Sequence, residues 1–113
     1  LISLIIFSKN RPLQLDLCLT TVASNFQASL EVTVIYKCDD EYLDAYQTLM
    51  KEHPKVQFWP EGKFLFNDVL VRLQSSNAQY CCFLTDDCFL YRESPLLCEA
   101  SLETLFEVDR RWW

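Results

Sequence analysis

The feature that most constrains this chain is an alternation of short runs rich in β-branched and aromatic residues with longer amphipathic stretches. Ile2 to Ser8 (ISLIIFS) is almost continuously apolar, as expected of a strand covered on both faces. Glu31 to Lys37 (EVTVIYK), Lys55 to Trp59 (KVQFW) and Gln79 to Thr85 (QYCCFLT) read as three further strands. Between the first two, Pro12 suits the opening turn of a helix. Leu13, Leu17, Thr20 and Thr21 recur at helical spacing there, with Leu15, Leu19 and Val22 widening the stripe to about Ser24. Asp39 or Asp40 is placed to N-cap a second helix through Tyr42, Leu43, Tyr46, Leu49 and Met50, which His53 and Pro54 stop. Phe64 to Gln74 reads as a third helix. An extended piece at Phe89 to Tyr91 and a last helix from Leu96 to Val108, opened by Pro95, complete the pattern. Strands separated by helices predict right-handed βαβ units. The expected fold is therefore a Rossmann-like three-layer α/β/α arrangement with a mainly parallel sheet.

At 113 residues, with no linker or repeat, the chain reads as a single domain over 1–113. Without an initiator Met, it reads as an excerpt of a longer reading frame. Ten Lys and Arg face sixteen Asp and Glu, a net charge of -6, so the basic field that non-specific nucleic-acid or anionic-lipid binding requires is missing. No apolar run approaches the roughly 20 residues of a membrane span. The six cysteines include no CxxC pair, and with His53 as the sole histidine a zinc site is not expected. Cys81 and Cys82, inside a strand, read as small buried hydrophobes. Reduced thiols of this kind fit a cytoplasmic or cytoplasm-facing location.

The composition also holds a single glycine, Gly62, which removes every Gly-rich turn that cradles a phosphate with backbone amides. Ligands of parallel α/β sheets bind beyond the carboxyl ends of the strands. On that edge lie four expected loops, Ser8–Arg11, Cys38–Asp40, Pro60–Lys63 and Thr85–Cys88. Asp86 and Asp87 are the most informative residues there, because adjacent carboxylates at the end of an apolar strand repel and resist burial. A divalent cation with oxygen preference offsets both costs. The plainer reading has Asp86 capping the next turn and Asp87 facing water. Lys9 and Arg11, beside a helix start, are candidates to hold an anion, or belong to a solvated turn. Asp39 reads as a ligand or as part of a solvated, acidic helix N-terminus, Lys63 as a ligand contact or a surface helix charge, and His53 as an exposed loop residue.

The segments ISLIIFSKNRPLQLDLCLTTV, EVTVIYK and YCCFLTDDCFLYR together resemble the nucleotide-binding half of a GT-A fold glycosyltransferase, most similar to family 2-like enzymes. The resemblance covers about residues 1 to 95. It implies a nucleoside diphosphate sugar (UDP- or GDP-sugar) as ligand and Mn²⁺ or Mg²⁺ as cofactor. Asp87 would ligate the metal at a DXD-like motif whose first position is Thr85, with Asp86 on the ribose or in the metal shell. Phe7, Ser8 and Lys9 would line the nucleoside pocket, with Arg11, Asp39 and Lys63 as further sugar-nucleotide contacts. The family commonly closes its second strand with an acidic pair, where this chain has Tyr36 and Lys37 and carries Asp39 and Asp40 slightly later. The acceptor half and its general base lie downstream of the metal motif in the family, so the fragment alone is expected to turn over little. The alternatives are a non-catalytic α/β interaction module or an inactive glycosyltransferase remnant. A receiver-like phosphoacceptor domain ranks below both, since it would carry its acids after the first strand, where Lys9 and Arg11 stand.

Overall fold

The computed structural model describes residues 1–25 and 29–89. The expected helix over 96–108 and the extended piece beyond Phe89 lie outside them. The described chain runs β1 (Ile2–Lys9), α1 (Pro12–Asn25), β2 (Leu30–Lys37), a single 3₁₀ turn (Asp40–Tyr42), α2 (Leu43–Glu52), β3 (Gln57–Pro60), α3 (Leu65–Ser75) and β4 (Tyr80–Thr85). All three strand pairings are parallel and the order is β3-β2-β1-β4. The fold is α/β, with a four-stranded parallel sheet and three helices, compatible with a Rossmann-like arrangement.

The continuous apolar run of β1 is explained by its place. It pairs with β2 on one side and β4 on the other, and Ile2 through Ile6 are buried. Leu4 and Ile6 meet Val34 of β2 and a layer made by Leu15, Cys18, Leu19 and Val22 of α1 with Tyr46 and Leu49 of α2. Burying side chains of this size contributes about 1.5 to 3 kcal/mol each. Thr33 and Ile35 share the opposite face with Ile5 and Phe7, and there α3 lies on the sheet through Arg72.

Several details depart from the sequence reading. The buried stripe of α1 is Leu15, Cys18, Leu19 and Val22, at i, i+3, i+4 and i+7, while Leu13 and Leu17 are exposed. Small Cys18 fits under the end of β4, where its thiol reaches the Thr85 carbonyl. Burial pushes this thiol up to about 11, aided by the neighbouring Cys88, Asp86 and Asp87. Asp39 does not cap α2: the α2 cap position is Tyr42, and Asp39 precedes the 3₁₀ turn without a side-chain capping bond. β3 begins at Gln57 instead of Lys55, because Val56 donates back to the His53 carbonyl and closes a turn first. Cys81 faces outward from the edge strand β4, and Cys82 is half-buried on the α1 side.

Two turns shape the sheet edge. Asn10 adopts φ 54°, a left-handed conformation that asparagine tolerates better than most residues. Gly62 has no positive φ; its N–H donates to Asp68 Oδ2 at 2.8 Å, and an added Cβ would come within 3.1 Å of that carboxylate. Among the described residues no helix is long and apolar enough to cross a membrane.

Candidate functional site at the strand edge

The carboxyl ends of β1, β2 and β4 open onto a cleft of about 370 Å³, lined by Phe7, Ser8, Lys9, Arg11, Ile35, Lys37, Glu61, Leu65, Thr85, Asp86 and Asp87. Parallel register produces this convergence. Phe7 pairs with Ile35 and with Thr85, so the loops after the three strands leave the sheet at one level. The Asp86 N–H then donates to the Phe7 carbonyl at 3.1 Å, carrying β4 one residue further along β1. Phe7 stacks on Phe83, with centroids 6.0 Å apart, to give the cleft an aromatic wall.

The two adjacent aspartates meet opposite environments. Asp86 is buried, at 5% exposure, and its Oδ2 accepts from Ser8 Oγ at 3.0 Å. Arg11 places its guanidinium 3.8 Å from Asp86 Oδ1. Behind Ser8 stands Tyr46, fully buried in α2, whose hydroxyl lies 2.7 Å from Ser8 Oγ and accepts from the Arg11 N–H at 3.1 Å. Because Ser8 gives its proton to Asp86, Tyr46 is the donor to Ser8. A directed relay results: Arg11 N–H to Tyr46 to Ser8 to the Asp86 carboxylate. Each buried polar group in it has a partner, and burial of Asp86 needs no cation beyond Arg11.

Asp87 is exposed. Its Oδ1 accepts from Thr85 Oγ1 at 2.5 Å, and this bond, then its own backbone N–H, then the Arg11 charge hold its carboxyl below the ordinary value of 3.8. The turn is closed by the Cys88 N–H on the Thr85 carbonyl at 3.1 Å. Thr85 therefore orients the exposed carboxylate, and Asp87 is the ionised oxygen donor that faces solvent at the cleft.

Six of the residues singled out in the sequence come together here: Phe7, Ser8, Lys9, Arg11, Asp86 and Asp87. Two do not line the cleft. Asp39 ties the first two loops together, accepting from Asn10 Nδ2 at 3.0 Å while its N–H donates to Asn10 Oδ1 at 2.8 Å. Lys63 lies over the Phe64 ring, 5.6 Å from its centroid. The sequence reading missed Tyr46, which it assigned to a plain helix stripe. A tyrosine on a buried face needs a partner for its hydroxyl, and that need was the available signal. It also missed Lys37 as a cleft residue, since nothing in its spacing marks it, while Glu61 lies in the Pro60–Lys63 loop expected on this edge.

Comparison with protein-family models, curated proteins and solved structures returns no match. The functional reading therefore rests on the geometry of the cleft.

Proposed function

We propose that this chain is the sugar-nucleotide-binding portion of a GT-A-type glycosyltransferase, with the strand-edge cleft as its donor site. The observation that carries the reading is the convergence of an aromatic wall, three cations and an exposed, low-pKa carboxylate on one sheet edge. Phe7 offers an apolar face for a base or ribose, and Lys9, Arg11 and Lys37 supply positive charge for a diphosphate. Asp87 is the residue suited to Mn²⁺ or Mg²⁺, which commonly bind through one or two carboxylates plus the oxygens of a substrate phosphate. Its single free carboxylate edge fits a metal held jointly with the nucleotide better than one held by protein alone. When bound, such a metal supplies Lewis-acid stabilisation of charge on a departing diphosphate. Asp86, committed to Ser8 and Arg11, would act by orienting Arg11 toward the phosphates. Transfer of the sugar to an acceptor would belong to the full-length protein.

Asp86 also supports a second reading, a non-catalytic α/β interaction module. Its burial is already offset by Ser8 and Arg11, and α3 exposes Leu65, Phe66, Leu70 and Val71. Calorimetry separates the two. The donor-site reading expects UDP or GDP to bind only when Mn²⁺ is present, and Asp87→Ala to abolish the metal-dependent part. Binding that is absent, or unchanged by the substitution, would favour the module.

The pH dependence has a definite sign. A lowered carboxyl value favours the ionised form, so the contribution lost in Asp87→Ala is expected to hold through mildly acid pH and to fall only below the ordinary value of 3.8, whereas any loss at about pH 6 common to both proteins belongs to the nucleotide's terminal phosphate. An Asp87-dependent loss with its midpoint well above 3.8 would place the titrating group elsewhere.

A further inference from the structure

His53 does not stand exposed in its loop, as its sequence context suggested. It is half-buried, and its Nε2 lies 2.9 Å from Asp16 Oδ1. Its backbone is pinned on both sides: the N–H donates to the Leu49 carbonyl at 2.9 Å, and the carbonyl accepts from Val56 at 3.1 Å. Glu52 precedes it in sequence, and one ligand atom from each of Asp16, Glu52 and His53 lies within 4.8 Å of the others. Asp16 comes from the early part of α1, while Glu52 and His53 close α2, so the three converge across a helix–helix contact. None of them lines the strand-edge cleft.

The electrostatics of this cluster ask for a cation. Glu52 is the last residue of α2, at the negative end of the helix dipole, and it faces a second carboxylate. The exposed Lys51 and Lys55 flank the cluster in sequence, yet among the described residues the ion pair found at the cluster is that of His53 with Asp16. The donor set selects the kind of ion. One imidazole nitrogen and two carboxylate oxygens suit a borderline first-row metal such as Zn²⁺, whereas Mg²⁺ and Ca²⁺ prefer oxygen alone. Around a tetrahedral Zn²⁺ with bonds of about 2.0 to 2.1 Å, neighbouring ligand atoms stand about 3.3 Å apart. Here one pair stands at 2.9 Å and all three atoms lie within 4.8 Å of one another, and the two carboxylates, being partly or fully exposed, can adjust toward that value.

We propose that Asp16, Glu52 and His53 form a Zn²⁺ site, with solvent as the fourth ligand, that fastens α1 to the C-terminal end of α2; His53 would ligate through Nε2 with its proton on Nδ1, the metal replacing the hydrogen bond to Asp16. This site is independent of the donor-site reading: it uses other residues, another edge of the molecule and a softer metal. The sequence reading expected no zinc site, because the ligands here are separated in sequence and meet only through packing.

The experiment is a Zn²⁺ titration of the 113-residue chain followed on its single imidazole by long-range ¹H–¹⁵N NMR. One equivalent of Zn²⁺ is expected to shift Nε2 and leave the amide spectrum folded, while Mg²⁺ at the same concentration leaves the imidazole unmoved. Asp16→Asn combined with Glu52→Gln is expected to weaken the response at least about tenfold, and Asp87→Ala to leave it as in the parent. An imidazole that stays in place while Zn²⁺ is taken up would assign the metal to other groups, such as thiols or the strand-edge Asp87, and overturn the proposal. So would a response of equal strength in the double carboxylate variant.

Discussion

The two faces of the sheet are held by different forces. On the α1 and α2 face, Leu4, Ile6, Leu15, Leu19, Val22, Val34 and Leu49 form a continuous apolar layer. On the α3 face, Arg72 is the buried residue of the helix. Its Nε donates to Thr33 Oγ1 at 2.6 Å, its guanidinium pairs with Glu31, and it stacks over Trp59 at 5.5 Å from the ring centroid. The helix spends its apolar residues outward, with Phe66 72% and Val71 55% exposed. Apolar burial is non-directional, whereas a pinned, buried guanidinium is directional and depends on keeping its partners. The difference teaches where this fold is rigid: the relay behind the cleft is built on the apolar face, while α3 contributes only Leu65 to the cleft rim.

The largest effect is expected on the apolar face. Leu15→Ala should lower stability by about 2 to 5 kcal/mol, independent of ionic strength, since it opens a cavity in a layer that cannot fully collapse. Denaturant unfolding at low and high salt checks this, and a salt-dependent loss would contradict the division between faces. Arg72→Ala should cost less, about 1.5 to 3 kcal/mol, the range for hydrogen bonds to charged groups. Because the guanidinium is buried, that loss should change little with salt, and hydrogen exchange should speed up in α3 before α1. Uniform acceleration across both helices would show that the Arg72 contacts support the whole sheet. The smallest effect belongs to Tyr46→Phe, about 1 kcal/mol, because the hydroxyl serves the relay and the ring remains packed on Tyr36 at 5.1 Å. Its mark should appear at the cleft, as weaker nucleotide binding, more than in overall stability.

The sheet was legible in the sequence because a parallel strand buried on both faces needs an apolar run, which β1 supplies, while β4 stands at its expected position although alternate residues of it are exposed. The loops that carry the cleft followed from topology, which sends every strand-end loop to one edge. Three things were not legible. The helical phase of α1 was misassigned, since Leu13 and Leu17 match the period as well as Leu15 and Leu19 and only the sheet decides between them. The division of labour between Asp86 and Asp87 depends on which one follows the β1 ladder, a matter of register. Tyr46, Asp16 and His53 owe their roles to contacts across more than thirty positions, as with the Ser8–Tyr46 separation of 38, and such pairs leave no local pattern.

The central claim is that the strand edge binds a nucleoside diphosphate through a metal on Asp87, and paramagnetic Mn²⁺ tests it most directly. In amide spectra recorded with UDP or GDP, substoichiometric Mn²⁺ is expected to broaden Thr85 to Cys88 and the Lys9–Arg11 loop first, and Asp87→Ala should remove that broadening. Broadening centred on Asp16 and His53, with the strand edge untouched, would contradict it.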